Sequence, residues 1–357
     1  VREGGTGQHA AGDRDDAPAR VAPPVGGWRS PHDREHPLVG KWYVPQTRTF
    51  ASDSEVYELF RGARYVLLGE KHDNEDHHLL QAAILRELTH RAAASAVVFE
   101  MIELGDQGRL DVAVERASAA RARRKPGPSS PPPGVAEPTF DEAIDGIGAA
   151  LAWDTSGWPP FAIYRPIFAV AVDRGLRLRA GNVSAVEARS IARGERLPAE
   201  KEAWLRLDEA LPADLEAALR SELVASHCGH LTLEKAGPMA KAQRARDAAL
   251  ARALVDAAEL GKRRVQGGTA AAVLIAGAGH VRRDRGVPFH LAAIDPGARV
   301  VSVAFIEVDG DVAADDRSTE AAAEAQLRGR EAGFDVVLFT PRANDEDPCA
   351  MFRTKGK

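Results

Sequence analysis

The chain has 357 residues, 44% of them hydrophobic and 28% charged, with a formal net charge of −5. That size accommodates about one to three domains with a substantial core, and the absence of a basic excess or charge block excludes electrostatic recognition of nucleic acid or an anionic membrane surface. The longest apolar run, Ala270 to Ala278, is far too short to cross a bilayer, and two cysteines, Cys228 and Cys349, exclude a disulfide scaffold while leaving one bridge between them open.

Residues 1 to about 36 are Gly, Ala, Asp, Arg and Pro without periodicity, and they read as a disordered leader. The chain begins at Val1 with a polar stretch in which no signal peptide is visible. Residues 37–357 read as one α/β domain. Its first apolar weight, His36 to Tyr43, is expected to form an edge segment. Tyr65 to Leu68 reads as a buried strand ended by Gly69. Asp73 or Asn74 then caps a helix whose Leu79, Leu80, Ala83, Ile84 and Leu88 recur at helical spacing. Between that strand and helix lie Glu70, Lys71, His72, Asp73 and Asn74, with His77 and His78 one turn on. Ligands bind beyond the carboxyl ends of parallel strands, so this loop is a candidate wall of a site.

Ala96 to Phe99 is the second buried strand and ends at Glu100. Residues 103–123 read as an exposed helix. Residues 124–138 form a proline-rich insertion whose proline density excludes both helix and central strand. Helices are expected from Phe140 to Ala152 and from Phe161 to Arg174, the latter carrying Tyr164 and Arg165. Leu176 to Ala180 is a third strand, ended by Gly181-Asn182, and Glu187 to Leu260 is helix-rich. Ala272 to Ala276 is a fourth strand, ended by Gly277-Ala278-Gly279-His280; Val300 to Val308 and Phe334 to Phe339 complete the pattern. Strands alternating with helices argue for a mainly parallel sheet flanked by helices, with a helix-rich insertion.

Four apolar strands thus end in polar clusters, and in a parallel sheet those ends share one edge. His72, Glu100 and His280, with Glu70 beside them, form a set of imidazoles and carboxylates suited to a divalent metal ion. The same groups suit acid–base hydrolysis, with Arg165 stabilising an anion. Each residue has a structural reading as well: a cap for His72, a salt bridge for Glu100, a solvated loop for Arg282, Arg283 and Arg285. Gly277-Ala278-Gly279 hints at a dinucleotide loop, but Arg282 stands where its third glycine belongs. There is no GxSxG, Walker loop or HExxH.

The same segments carry a family resemblance. Gly69-Glu70-Lys71-His72-Asp73-Asn74 with His77-His78, Phe99-Glu100-Met101, and Tyr164-Arg165-Pro166-Ile167 resemble the ChaN-like family, as do Ala180-Gly181-Asn182 and Ser226-His227-Cys228-Gly229. Met239 with Ala242-Gln243-Arg244 and Arg246-Asp247, the run Gly279 to Pro288, and Asp347-Pro348-Cys349 continue the match. The resemblance implies a haem-binding protein of haem or iron uptake in the bacterial cell envelope (periplasm or outer membrane, often as a lipoprotein), a haem or iron transport system as partner, and a homodimer. No lipobox cysteine is visible near Val1. Relatives related to the Tiki and TraB proteases instead imply a metal-dependent hydrolase using Glu70, His72, Glu100, Arg165 and His280, recognised by two GxxH motifs that match Gly69 to His72 and Gly277 to His280. For haem, the expected axial ligand is Tyr164, with Tyr43 and His72 as alternatives. Arg282, Arg283 and Arg285 are the expected propionate cations.

Overall fold

The computed structural model describes residues 24, 26–91, 94–124, 137–262, 271–310, 319–328, 333–347 and 349. The core of the proline-rich insertion and most of the expected leader lie outside the described residues. In chain order the elements are β1 (Trp42–Val44), β2 (Thr49–Ala51), α1 (Asp53–Phe60), β3 (Tyr65–Glu70), α2 (Glu75–His90), β4 (Ala94–Glu103) and α3 (Gln107–Arg123). Then follow α4 (Phe140–Ala150), α5 (Phe161–Asp173), β5 (Arg177–Asn182), α6 (Ala185–Ala192), α7 (Ala199–Trp204), α8 (Ala213–Ser226) and α9 (Leu233–Lys262). The chain ends with β6 (Ala271–Gly277), α10 (Val287–Ile294), β7 (Val300–Glu307), α11 (Thr319–Leu327) and β8 (Val336–Thr340).

Among the described residues eight strands lie in one sheet, in the order β2-β1-β8-β7-β3-β6-β4-β5. Among these strands β1 pairs antiparallel with β2 and β8, and the other pairs are parallel. The four strands expected to be parallel neighbours are indeed contiguous as β3-β6-β4-β5. Period-two alternation divides their side chains between two cores. Val66, Leu68, Val273 and Ile275 face α2–α5, whereas Tyr65, Leu67, Ala272 and Leu274 face α9–α11. The chain therefore leaves β3 by α2 on one face and leaves β6 by α10 on the other. Such a reversal between adjacent strands opens a crevice beyond their carboxyl ends, between β3 and β6.

Two expectations need correction. The described part of the expected leader is packed: the Arg29 and Ser30 amides donate to the Asp76 carboxylate at 2.8 Å each, and His32 pairs with Arg342. Short polar runs of this kind hold their place through a buried partner far along the chain, which composition does not reveal. The helix expected to be exposed, α3, buries Leu110, Ala113, Ala117 and Ala120. Its alanines make a narrow apolar stripe that a charge-rich count hides. At its start, Gln107 accepts from the Ala180 amide and donates to the Leu178 carbonyl, so one side chain stands in for a neighbouring strand along edge strand β5.

Candidate functional site

Asn74 caps α2, its Oδ1 accepting from the amides of Asp76 and His77 at 3.0 and 3.3 Å. This fixes the loop that carries Glu70 and His72. Glycine sets the spacing of the loops. A Cβ at Gly69 would collide with Val281 Cγ2, and one at Gly277 would lie 3.0 Å from His72 Nε2. Gly69 is therefore required for the second GxxH loop to close over the first, and a side chain at Gly277 would push the His72 ring aside.

Carboxylates and imidazoles alternate across the ends of β3, β6 and β4. His280 Nδ1 lies 2.6 Å from Asp247 Oδ1, and its Nε2 lies 3.0 Å from Glu100 Oε1. Glu100 Oε2 accepts from the Gly277 amide at 2.8 Å and stands 4.0 Å from His72 Nε2. His72 Nδ1 is 2.9 Å from Glu70 Oε1, and His78 Nδ1 is 2.8 Å from Glu70 Oε2. Six side chains thus run Asp247, His280, Glu100, His72, Glu70, His78, each beside groups of opposite charge. All but His72 are buried; its side chain is 34% exposed.

Burial opposes the charge of every member, and the neighbours overcome it for most. Against burial, Glu100 and Asp247 push His280 up to about 10. Against burial, His280 and His72 hold Glu100 down at about 2. His72 and His78 are likewise raised despite burial, both by Glu70. His77 differs: burial and the neighbouring His78 lower it to about 3. It is neutral, its Nδ1 accepting from the Lys71 amide and its Nε2–H donating to Thr340 Oγ1 at 2.8 Å.

The expected trio of His72, Glu100 and His280 therefore converges. Glu100 Oε1 lies against His280 while His72 Nε2 stands off at 4.0 Å, and among the described residues no group of three or more His, Cys, Asp or Glu is arranged to hold a metal ion. Both nitrogens of His280 already face carboxylates, Asp247 on one side and Glu100 on the other. Tyr164 is fully buried, its hydroxyl 3.2 Å from Glu70 Oε1 and its ring tilted against His78 with centroids 4.0 Å apart. Burial first, then Glu70, pushes its phenol far up, so it is a hydrogen-bond donor and not an exposed ligand. Tyr43 is buried between Phe50 and Phe339 on β1, away from the crevice. Arg165, one residue from Tyr164, points the other way and pairs with Asp141 and Asp145. The basic loop is also engaged elsewhere: Arg282 with Asp284, Arg285 with Asp284 and Glu222, Arg283 with Asp335.

The crevice has two lobes of about 550 and 390 Å³ that meet at His72, Gln243 and His280. The first is walled by Lys71, Phe305, Ile306 and Glu307. The second is lined by Ala188, Ala192, Leu223, Met239 and Ala242, with the guanidinium groups of Arg189 and Arg246. Neither arginine has an acidic ion-pair partner among the described residues. The Trp158 ring stands edge-on to His72 at 4.9 Å. Asp247, Arg189 and Arg246 were not singled out by chemistry in the sequence, because a charged residue on a long helix carries no sign of the face it occupies. The spacing of Gln243, Arg246 and Asp247, three and four residues apart, is the one signal available.

The chain matches the family model described as haem-binding uptake, Tiki superfamily, ChaN, over residues 56–291. Among solved structures it is similar to one titled as cofacial haem binding to ChaN of Campylobacter jejuni, with a TM-score of 0.56 and 18% identity, covering 83% of this chain and 95% of that one. Two more distant likenesses are a mutant erythromycin esterase, EreC, in its open conformation (TM-score 0.39, 12% identity, 86% and 99% covered) and a Bacillus cereus protein (0.39, 11%, 81% and 90%). No curated protein matches the sequence. The family model spans well over half the chain, and the protein belongs to the ChaN family of haem-binding uptake proteins in the Tiki superfamily.

Proposed function

We propose that this protein carries haem in the crevice, with His72 offering the axial donor and Arg189 and Arg246 meeting the propionates. The observation that carries the reading is the setting of His72. Its Nδ1–H is directed at the buried Glu70 carboxylate, which fixes the tautomer and raises the basicity of Nε2. Nε2 then stands where the two lobes meet. A carboxylate-backed imidazole is how many proteins present a donor to iron. Leu223, Met239 and the alanines beside them supply an apolar wall, and the two arginines supply paired donors for carboxylates. Haem is cargo in this reading, and the chain's part is to bind and orient it.

The joined Cys228 and Cys349 support an oxidising compartment such as the periplasm. The uptake role, the transport partner and a homodimer follow from the family resemblance. Arg165, the anion stabiliser of the hydrolase reading, pairs with Asp141 and Asp145 and does not line the crevice, so the binding reading is the one supported. Absorbance titration with haemin tests the proposal. Saturable binding is expected, weakened roughly tenfold in Arg246→Met, about the worth of one charge-assisted pair. No saturable binding by the wild-type protein would end the reading.

A further inference from the structure

Helix α9 presents two faces to two different hollows. Gln243 and Arg246 face the crevice, while Gly237, Lys241 and Arg244 line a separate cavity of about 420 Å³ closed by α6 and α8. Arg244 is 7% exposed, and its Nε is buried with no hydrogen-bond partner among the described residues. The other charges around the cavity are already matched. Arg220 Nε pairs with Glu216 at 2.9 Å, and Lys241 Nζ pairs with Glu202 at 3.2 Å. Glu195 and Glu234 are exposed at the rim. Behind Arg244 lies His290, 3% exposed, which burial and the nearby Arg244, Arg206 and Arg252 hold neutral with a pKa of about 4. Glu216, Asp247 and Glu209 favour the Arg244 charge from a distance without overcoming its burial, and none of them forms an ion pair with it.

A buried guanidinium without a direct ion pair is costly, and proteins ordinarily give it a carboxylate of their own in contact. We infer that the cavity beside Arg244 is a binding site for a small oxyanion-bearing molecule, a phosphate or a carboxylate, which docks its anionic group on Arg244 with Arg220 and Lys241 at its flanks. The cavity is within the usual range for small-molecule sites and exceeds one inorganic ion, so the anionic group belongs to a larger ligand. The site is independent of the haem crevice.

Thermal unfolding in chloride, inorganic phosphate and acetate at matched ionic strength tests it, with wild type beside Arg244→Met. Phosphate strengthens burial in any protein, so the comparison between the two chains is the readout. The wild-type Tm is expected to rise by about 2–5 °C in phosphate or acetate relative to chloride. In Arg244→Met that rise disappears, while the Tm in chloride goes up, because an unmatched charge gives way to an isosteric apolar chain. A rise in phosphate alone marks a phosphate-bearing ligand, and one in acetate alone a carboxylate. Equal wild-type Tm in all three salts, or an undiminished rise in the variant, overturns the inference. Should Arg244→Met not fold, Arg244→Gln is read by the same loss of the anion-dependent rise.

Discussion

At the scale of single residues, the site is an alternation of buried acids and imidazoles, and its members were unequally legible. His72, Glu100 and His280 each follow a short apolar strand, so their convergence can be read from the chain. Tyr164 and Arg165 show the limit. Neighbours on a helix point about 100° apart, and the sequence does not say which one turns inward. The phenol went in, as a donor to Glu70, and the guanidinium went out to Asp141 and Asp145. Tyr164→Phe is therefore expected to leave haemin affinity and spectrum unchanged. Chemical denaturation should show it less stable by about 1.5–3 kcal/mol, the range for a hydrogen bond to a charged group. A changed haemin spectrum in that variant would return Tyr164 to the ligand position.

At the scale of elements, the strands were the legible part, since runs such as Val97 to Phe99 and Ala272 to Ala276 are apolar on both sides and bounded by polar loops. The edges were not. Strand β2 has three residues and no pattern of its own, and its place is set by pairing with β1. The cap on β5 is a single glutamine side chain, which no strand pattern reveals. Gln107→Leu is expected to cost about 1–3 kcal/mol in denaturant unfolding and to promote self-association by sedimentation, as the uncovered edge of β5 seeks another strand. An equally stable, equally monodisperse variant would show that the edge needs no cover. Gly277→Ala probes the contact between the two GxxH loops. Its Cβ would crowd His72 Nε2, so haemin affinity should fall at least tenfold while the far-ultraviolet spectrum holds.

At the scale of the whole molecule, the buried histidines make stability depend on pH in two directions. His280 is raised to about 10, so the folded state holds a proton that the unfolded chain releases near 6.5. Its contribution is complete below about pH 6.5 and is lost as pH rises toward 10, at about 1.4 kcal/mol per unit. His77 and His290 are lowered to about 3 and about 4, mainly by burial. Their contributions are complete above about pH 6.5 and are lost as pH falls, because unfolding lets each imidazole take up a proton. Unfolding free energy measured by urea should therefore peak near pH 6.5 and fall on both sides. A curve flat from pH 6.5 to 9 would mean that His280 is not the buried cation described. The central claim is that this crevice presents His72 to haem. Its most direct measurement is the absorption spectrum of the ferric haemin complex of wild type beside His72→Ala, with added imidazole as a third sample. His72→Ala is expected to lose the wild-type Soret band, and imidazole to restore it. An identical spectrum in wild type and His72→Ala would contradict the claim.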